Sequence, residues 1–274
     1  MSGYQLIAFD MDGTLLNSRK EIDPETIKAI HEAKLAGKTI ILSTGRGPSE
    51  LTEYEKELQD VDYYCCISGA LVYDTKKKKA VYSHPMKAEV IKQVFDIAAK
   101  EDIMIQFLNE ESIVSKSHWE HMEDYGMGVY KQMFRRVCYM VDDVKTWFMN
   151  NPIDMEKMNL YHRSPEFRER TRKRMVDAGI PVEMVNAELG SLELTAKGVS
   201  KGKGLRKLCE HLGISIEETI MVGDADNDIE GLKAAGLAIG MGNSKPSIAP
   251  FVDVYVADND HGGCVEAIYK YLLA

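Results

Sequence analysis

Residues 6–16 read Leu6-Ile7-Ala8-Phe9-Asp10-Met11-Asp12-Gly13-Thr14-Leu15-Leu16, and this stretch decides the fold. Four apolar residues run unbroken into a carboxylate, and a turn containing Gly13 closes the run. That is the pattern of a strand buried on both faces. Asp10 and Asp12 stand at its end, where carboxylates beside a dry core are unfavourable unless paired or metal-bound. One reading makes them a nucleophile and a proton carrier. An aspartate can attack phosphorus and form an aspartyl-phosphate. A second carboxylate two residues on can give the leaving oxygen its proton, and Gly13 permits the sharp turn that gathers both. The other reading is an acidic turn after a strand, with Asp12-Gly13 as an ordinary turn pair.

The same grammar repeats outward. Asp23-Pro24-Glu25 signals a helix start and Gly37 its end. Thr39 to Leu42 predicts a second buried strand, closed by Ser43-Thr44-Gly45-Arg46. Pro48 to Leu58 predicts a helix, and Tyr63 to Ile67 a third strand followed by Ser68-Gly69. Strand–helix alternation with short loops predicts an α/β fold, a parallel sheet with helices on its faces. Leu71 to Tyr73 and Ala80 to Ser83 predict a hairpin around Lys76 to Lys79. Towards the end the alternation returns: a helix capped by Ser200, a strand Thr219 to Val222, a helix Asp226 to Ala235, strands Leu237 to Ile239 and Val254 to Val256, and a closing helix Val265 to Leu273.

The middle third mixes strands with helices such as Met86 to Lys100, and reads as an α+β domain inserted into the first. The expected division is a core over 1–84, an inserted domain over 85–188, and the rest of the core over 189–274. Within the insert, His118, Trp119, His121, Tyr125, Tyr130 and Tyr161 are of types that line substrate pockets, but packing explains them as well and none is assigned.

Composition narrows the class. The chain has 274 residues, 45% of them apolar, and a net charge of −9. A packed core follows, and binding to nucleic acid, which needs a basic face, is not expected. The five cysteines form no C-x-x-C pair, which argues against a zinc or thioredoxin-like motif and fits reduced thiols in the cytoplasm. No apolar run approaches the ~20 residues that span a bilayer, and the opening residues lack a signal-peptide pattern. A soluble cytoplasmic protein with no membrane partner is the expectation.

Three further segments bear on chemistry, each at a strand's carboxyl end or a helix's amino end, where open α/β sheets bind ligands. Thr44 and Gly45 offer a hydroxyl and backbone amides to phosphate oxygens, or cap a turn before Pro48. Lys201, in a first helical turn, opposes the helix dipole; an anion held there accounts for it, and so does simple solvation. Gly223-Asp224-Ala225-Asp226-Asn227-Asp228 places more carboxylates at one helix start than capping uses, and a Mg²⁺ site accounts for the excess.

Together, and in this order, DMDGTL at 10–15, STGR at 43–46, Lys201 in GVSKGKGL and GDADND at 223–228 resemble the haloacid dehalogenase superfamily, in particular its Cof-type sugar-phosphatase branch. The resemblance extends to AAGLAIGMGNS and DNDHGGCVEAIYKYL. It implies a Rossmann-like core with an inserted α/β cap, Mg²⁺ as cofactor, and a small phosphorylated metabolite as substrate. It makes Asp10 the nucleophile and a Mg²⁺ ligand. Asp12 becomes the acid–base and a main-chain Mg²⁺ contact, and Asp224 a Mg²⁺ ligand supported by Asp228. The Met11 amide, Thr44, Gly45, Lys201 and Asn227 would bind phosphate. Where such proteins read Asn-Gly-Ala after the third strand, this chain has Ser68-Gly69-Ala70. A phosphosugar mutase would share the first step, and a phospho-accepting signalling domain would use a similar residue set but has no need of a cap.

Overall fold

All four residues of Leu6–Phe9 are wholly buried, as an apolar run flanked by strands on both sides requires. This strand, β1, lies between two parallel neighbours in a computed structural model that describes residues 3–187 and 190–274. Helix α1 (Pro24–Leu35) follows, with Pro24 in its first turn, and leads to β2 (Thr39–Ser43). Then come β3 (Tyr63–Cys66) and the antiparallel hairpin β4 (Leu71–Asp74) and β5 (Lys79–Ser83). The lysine turn is held by Asp74, whose carboxylate accepts the amides of Lys76 and Lys77.

The chain next builds α2 (Ala88–Ala98), β6 (Ile103–Leu108), β7 (Ser112–Ser115), α3 (Lys116–Glu120), α4 (Lys131–Val137), β8 (Cys138–Val141), α5 (Val144–Asn150), β9 (Lys157–His162), α6 (Pro165–Asp177), β10 (Val182–Asn186) and β11 (Ser191–Ala196). It ends with α7 (Lys201–Leu212), β12 (Thr219–Gly223), α8 (Ile229–Ala234), β13 (Leu237–Gly240), β14 (Val254–Tyr255) and α9 (Gly263–Ala267). No helix among the described residues is long and apolar enough to cross a membrane.

These elements form two compact units. The first comprises residues 1–46, 53–83 and 200–274 and holds an eight-stranded sheet ordered β14-β13-β12-β1-β2-β3-β4-β5. Strand order runs outward in opposite directions from the β1/β12 pair, so the topological switch point lies there. A crevice forms at the carboxyl ends of such strands, and Asp10 and Asp224 directly follow β1 and β12.

The second unit comprises residues 47–52 and 84–199. Its six-stranded sheet is ordered β10-β11-β9-β6-β7-β8. One core cluster of this unit gathers Phe95, Phe107 and Phe148, whose ring centroids lie 5.4–5.9 Å apart. The expected boundary between 188 and 189 lies outside the described residues. Residues 191–199, expected in the second part of the core, instead lie in the second unit, where Ser191–Ala196 pairs as β11 with β9 and β10. An alternating apolar strand suits either sheet, and the pairing partner decides.

Two predicted helices differ in form. Pro48 to Leu58 is a 3₁₀ turn over Pro48–Tyr54, because Glu50 turns inward and its carboxylate accepts the Gly47 amide at 2.8 Å. Asp226 to Ala235 opens as a 3₁₀ turn, Asp226–Asp228, before α8, because the Asp228 carboxylate takes the amides of Asp224 and Ala225.

Candidate active site

Asp10 directly follows β1 and is 4% exposed. The chain then turns through Gly13 at φ 89°, a left-handed conformation that favours glycine. A Cβ on Gly13 would stand 2.5 Å from Asp224 Oδ2, so the glycine also makes room for the second carboxylate. Thr14 completes the approach, its hydroxyl donating to Asp224 Oδ1 at 2.9 Å. The closing segment pins this loop: Asn243 Nδ2 donates to the Gly13 carbonyl at 2.8 Å, and Asn259 Nδ2 to that of Leu16 at 2.8 Å.

Lys201, in the first turn of α7, is fully buried and points its ammonium at Asp10 and Asp228. The anions that offset its opposition to the helix dipole are therefore these two carboxylates. Ser200 caps the helix as expected, accepting from the Lys203 amide at 3.2 Å. Asp228 is wholly buried, with Oδ1 accepting from Lys201 at 2.5 Å and Oδ2 from two backbone amides.

Carboxylate oxygens of Asp10, Asp224 and Asp228 lie within 4.8 Å of one another. Burial pushes the Asp10 carboxyl up to about 8, against the pull of Lys201 and with the help of Asp228. Burial raises Asp224 too, with Thr14 opposing. Lys201 is held above its ordinary range by Asp10 and Asp228 despite its burial. Three carboxylates and one ammonium leave negative charge in a buried place, and a cation would relieve it. The donors are all carboxylate oxygens, with no His or Cys among them, which suits a hard divalent cation. Asp10, Asp224 and Asp228 could each offer it an oxygen, although Asp228 already accepts from Lys201 and two backbone amides.

Asp12 has a separate anchor. Arg46 Nε and Nη2 meet its two oxygens at 2.9 Å each, and Lys20 Nζ meets Oδ1 at 2.9 Å. Burial disfavours its ionised form, but Arg46 and Lys20 outweigh it and hold the Asp12 carboxyl below its ordinary range.

Of the other sequence candidates, Met11 is buried at the end of β1. Thr44 is buried at the end of β2, its amide donating to the Cys65 carbonyl at 2.9 Å. Gly45 follows it, half-buried, and Asn227 is exposed on the 3₁₀ turn before α8. The Ser68 departure falls on a left-handed residue, φ 55°, where Asn is better tolerated than Ser. Its amide donates to the Thr44 carbonyl at 2.9 Å, so this turn braces the Thr44 loop.

Sequence reasoning quoted Arg46 without giving it a task and passed over Lys20. The signal available was an arginine directly after a buried strand's Thr-Gly turn. In the inserted unit, Tyr125 OH donates to Asp102 at 2.7 Å and Trp119 Nε1 to the Lys131 carbonyl at 2.9 Å, and Tyr161 joins a buried cluster around Gln106. These three take internal partners.

A family model described as haloacid dehalogenase-like hydrolase matches residues 7–268. The chain is 26% identical to the 5-amino-6-(5-phospho-D-ribitylamino)uracil phosphatase YcsE of Bacillus subtilis, covering 98% of this chain and 96% of that protein. It is 27% identical to the chloroplastic endoribonuclease YBEY of Arabidopsis thaliana over 98% of its own length, but spans only 46% of that longer protein. A solved haloacid dehalogenase-like hydrolase from Bacteroides thetaiotaomicron shares the fold, with a TM-score of 0.84 and 23% identity over 97% of this chain and 99% of that one.

Proposed function

The chain belongs to the haloacid dehalogenase-like hydrolase family, and we propose that it is a Mg²⁺-dependent phosphatase of a small phosphorylated metabolite, working in the cytoplasm through an aspartyl-phosphate. The observation that carries this reading is the placement of Asp10 at the switch point, against Lys201 and within 4.8 Å of Asp224 and Asp228. Relatives such as the ribitylaminouracil phosphatase support the substrate class, and five free cysteines support a reducing compartment.

In this reading an Asp10 oxygen attacks phosphorus, and the bond from phosphorus to the leaving oxygen breaks. Asp12 gives that oxygen a proton, so an alcohol departs. Asp12 then takes a proton from water as the water attacks the aspartyl-phosphate, which frees inorganic phosphate and restores Asp10. Lys201 holds Asp10 in place and, with the Met11 amide, Thr44, Gly45 and Asn227, balances the charge of the phosphoryl oxygens. Mg²⁺ bound by Asp10, Asp224 and the Asp12 carbonyl would neutralise phosphate charge and favour ionised Asp10; Asp228 would keep Asp224 and Lys201 in position.

Inorganic phosphate release from a panel of phosphate monoesters, with Mg²⁺ and with chelator, tests the proposal. Metal-dependent release from one or more small esters is expected. Isomer formation without phosphate release would mark a mutase instead, and an aspartyl-phosphate lasting minutes a signalling domain.

A further inference from the structure

Arg46 is more than a surface cation near Asp12. Its Nε and Nη2 form a two-point fork on the carboxylate, at 2.9 Å each, and such a fork fixes orientation as well as charge. Arg46 is itself held from several sides. Its amide donates to Thr44 Oγ1 at 3.2 Å, its carbonyl accepts from the Ile67 amide at 3.0 Å, and its guanidinium lies 5.6 Å from the centre of the Tyr54 ring.

The residue after Arg46 is equally constrained. The Gly47 amide donates to Glu50 Oε2 at 2.8 Å, and Glu50 Oε1 accepts from Gln106 Nε2 at 3.2 Å. Glu50 is only 7% exposed, a burial that a carboxylate tolerates when its oxygens are hydrogen-bonded. Gln106 sits on β6 in a buried network, donating also to Ser112 Oγ at 2.6 Å and accepting from Asn159 Nδ2 at 3.0 Å and Tyr161 OH at 2.5 Å. The chain passes from the first unit to the second at the Arg46–Gly47 peptide. The residue that follows Arg46 is thus anchored through Glu50 to Gln106.

We propose that Arg46 is a positioning residue for the Asp12 carboxylate, and that Glu50, anchored by Gln106, sets Arg46. The inference rests on the reading of Asp12 as proton carrier. Geometry matters at this step because a displacement of about 1 Å from the reacting position can reduce the rate roughly 10²-fold.

The test compares single-turnover release of the phenol from phenyl phosphate and 4-nitrophenyl phosphate with Mg²⁺. The two esters have similar shapes, but phenolate needs a proton to depart and 4-nitrophenolate does not. Their rate ratio therefore reports proton donation. Asp12→Asn should lower the phenyl-to-nitrophenyl ratio by about 10²-fold. Arg46→Lys, which keeps the charge but loses the fork, and Glu50→Gln, which can no longer accept at both oxygens, should each lower it by about tenfold. In an Asp12→Asn background neither should change the ratio by more than about twofold, because the group they position is gone. Circular dichroism and thermal unfolding identify any variant that has not folded, and Arg46→Lys, at the less buried end of the chain of contacts, keeps the test open if Glu50→Gln fails. An unchanged ratio in folded Arg46→Lys, or an equal drop in both backgrounds, overturns the proposal. An unchanged ratio in Asp12→Asn itself overturns the proton-carrier reading, and the positioning chain with it.

Discussion

Lys201 Nζ donates to Asp228 Oδ1 at 2.5 Å, and both side chains are completely withdrawn from solvent. The same ammonium serves Asp10, so one cation answers two buried carboxylates. Removing the ammonium leaves the Asp10–Asp228 pair buried without its cation. Lys201→Met should therefore destabilise the protein by about 3–5 kcal/mol. Thermal or urea unfolding of the metal-free variant measures this. A loss below about 1 kcal/mol, the range of surface pairs, would show that the carboxylates had found other partners or had taken up protons.

Asp10 and Asp12 stand two residues apart but in different surroundings, one buried against Lys201, the other on the Arg46 fork. Their losses should differ accordingly. Asp10→Asn removes the proposed nucleophile and should abolish turnover, by about 10³-fold or more, while the fold persists. Asp12→Asn should still form an aspartyl-phosphate from an ester with a good leaving group and then stall, because no base activates water. Acid-quench trapping of the phosphoenzyme distinguishes them. Phosphate release at the native rate from Asp10→Asn would sink the mechanism.

Burial sets a pH dependence on metal binding. Burial pushes the Asp10 carboxyl of the metal-free fold up to about 8, from 3.8 as its ordinary value. The folded state thus keeps a proton that the unfolded chain has already released, so this group's contribution to stability falls as pH rises from about 4 to 8. A cation binds the ionised form and reverses that loss. The rise in melting temperature on adding Mg²⁺ should therefore grow between pH 5.5 and pH 8. A Mg²⁺ effect that is flat or shrinks over that interval would contradict the placement of Asp10 in the cation site.

Much of this site was legible because its signals are local. A buried run ending in Asp10 marks a strand end, and the excess acids at 224–228 cannot all be caps. Lys201 in a first turn asks for an anion, and the structure gathers all three segments. The Arg46–Asp12 fork was not legible, because it joins the ends of two different strands through side chains whose reach no periodicity encodes. The start of the core's second part, expected at 189, was out of reach for the same kind of reason: Leu192 and Leu194 declare a buried strand but not which sheet it joins. The Glu50–Gln106 contact lay further out of reach, since two polar residues in separate segments look like surface until the fold buries both.

Gly13 gives a test of the site that needs no assumption about substrate. Its φ of 89° is unfavourable for any residue with a Cβ, and that Cβ would meet Asp224 Oδ2 at 2.5 Å. Two separate effects follow in Gly13→Ala. Backbone strain should destabilise the protein by about 1–3 kcal/mol. The clash should also displace the Asp224 carboxylate from Thr14, with which it makes a 2.9 Å hydrogen bond. Strain alone would lower the melting temperature equally with and without Mg²⁺. Displacement of a ligand would in addition weaken Mg²⁺ binding, measured by calorimetry or by the metal-induced rise in melting temperature. The expected result is both. A Gly13→Ala protein that is less stable yet binds Mg²⁺ with native affinity would place the cation away from Asp224.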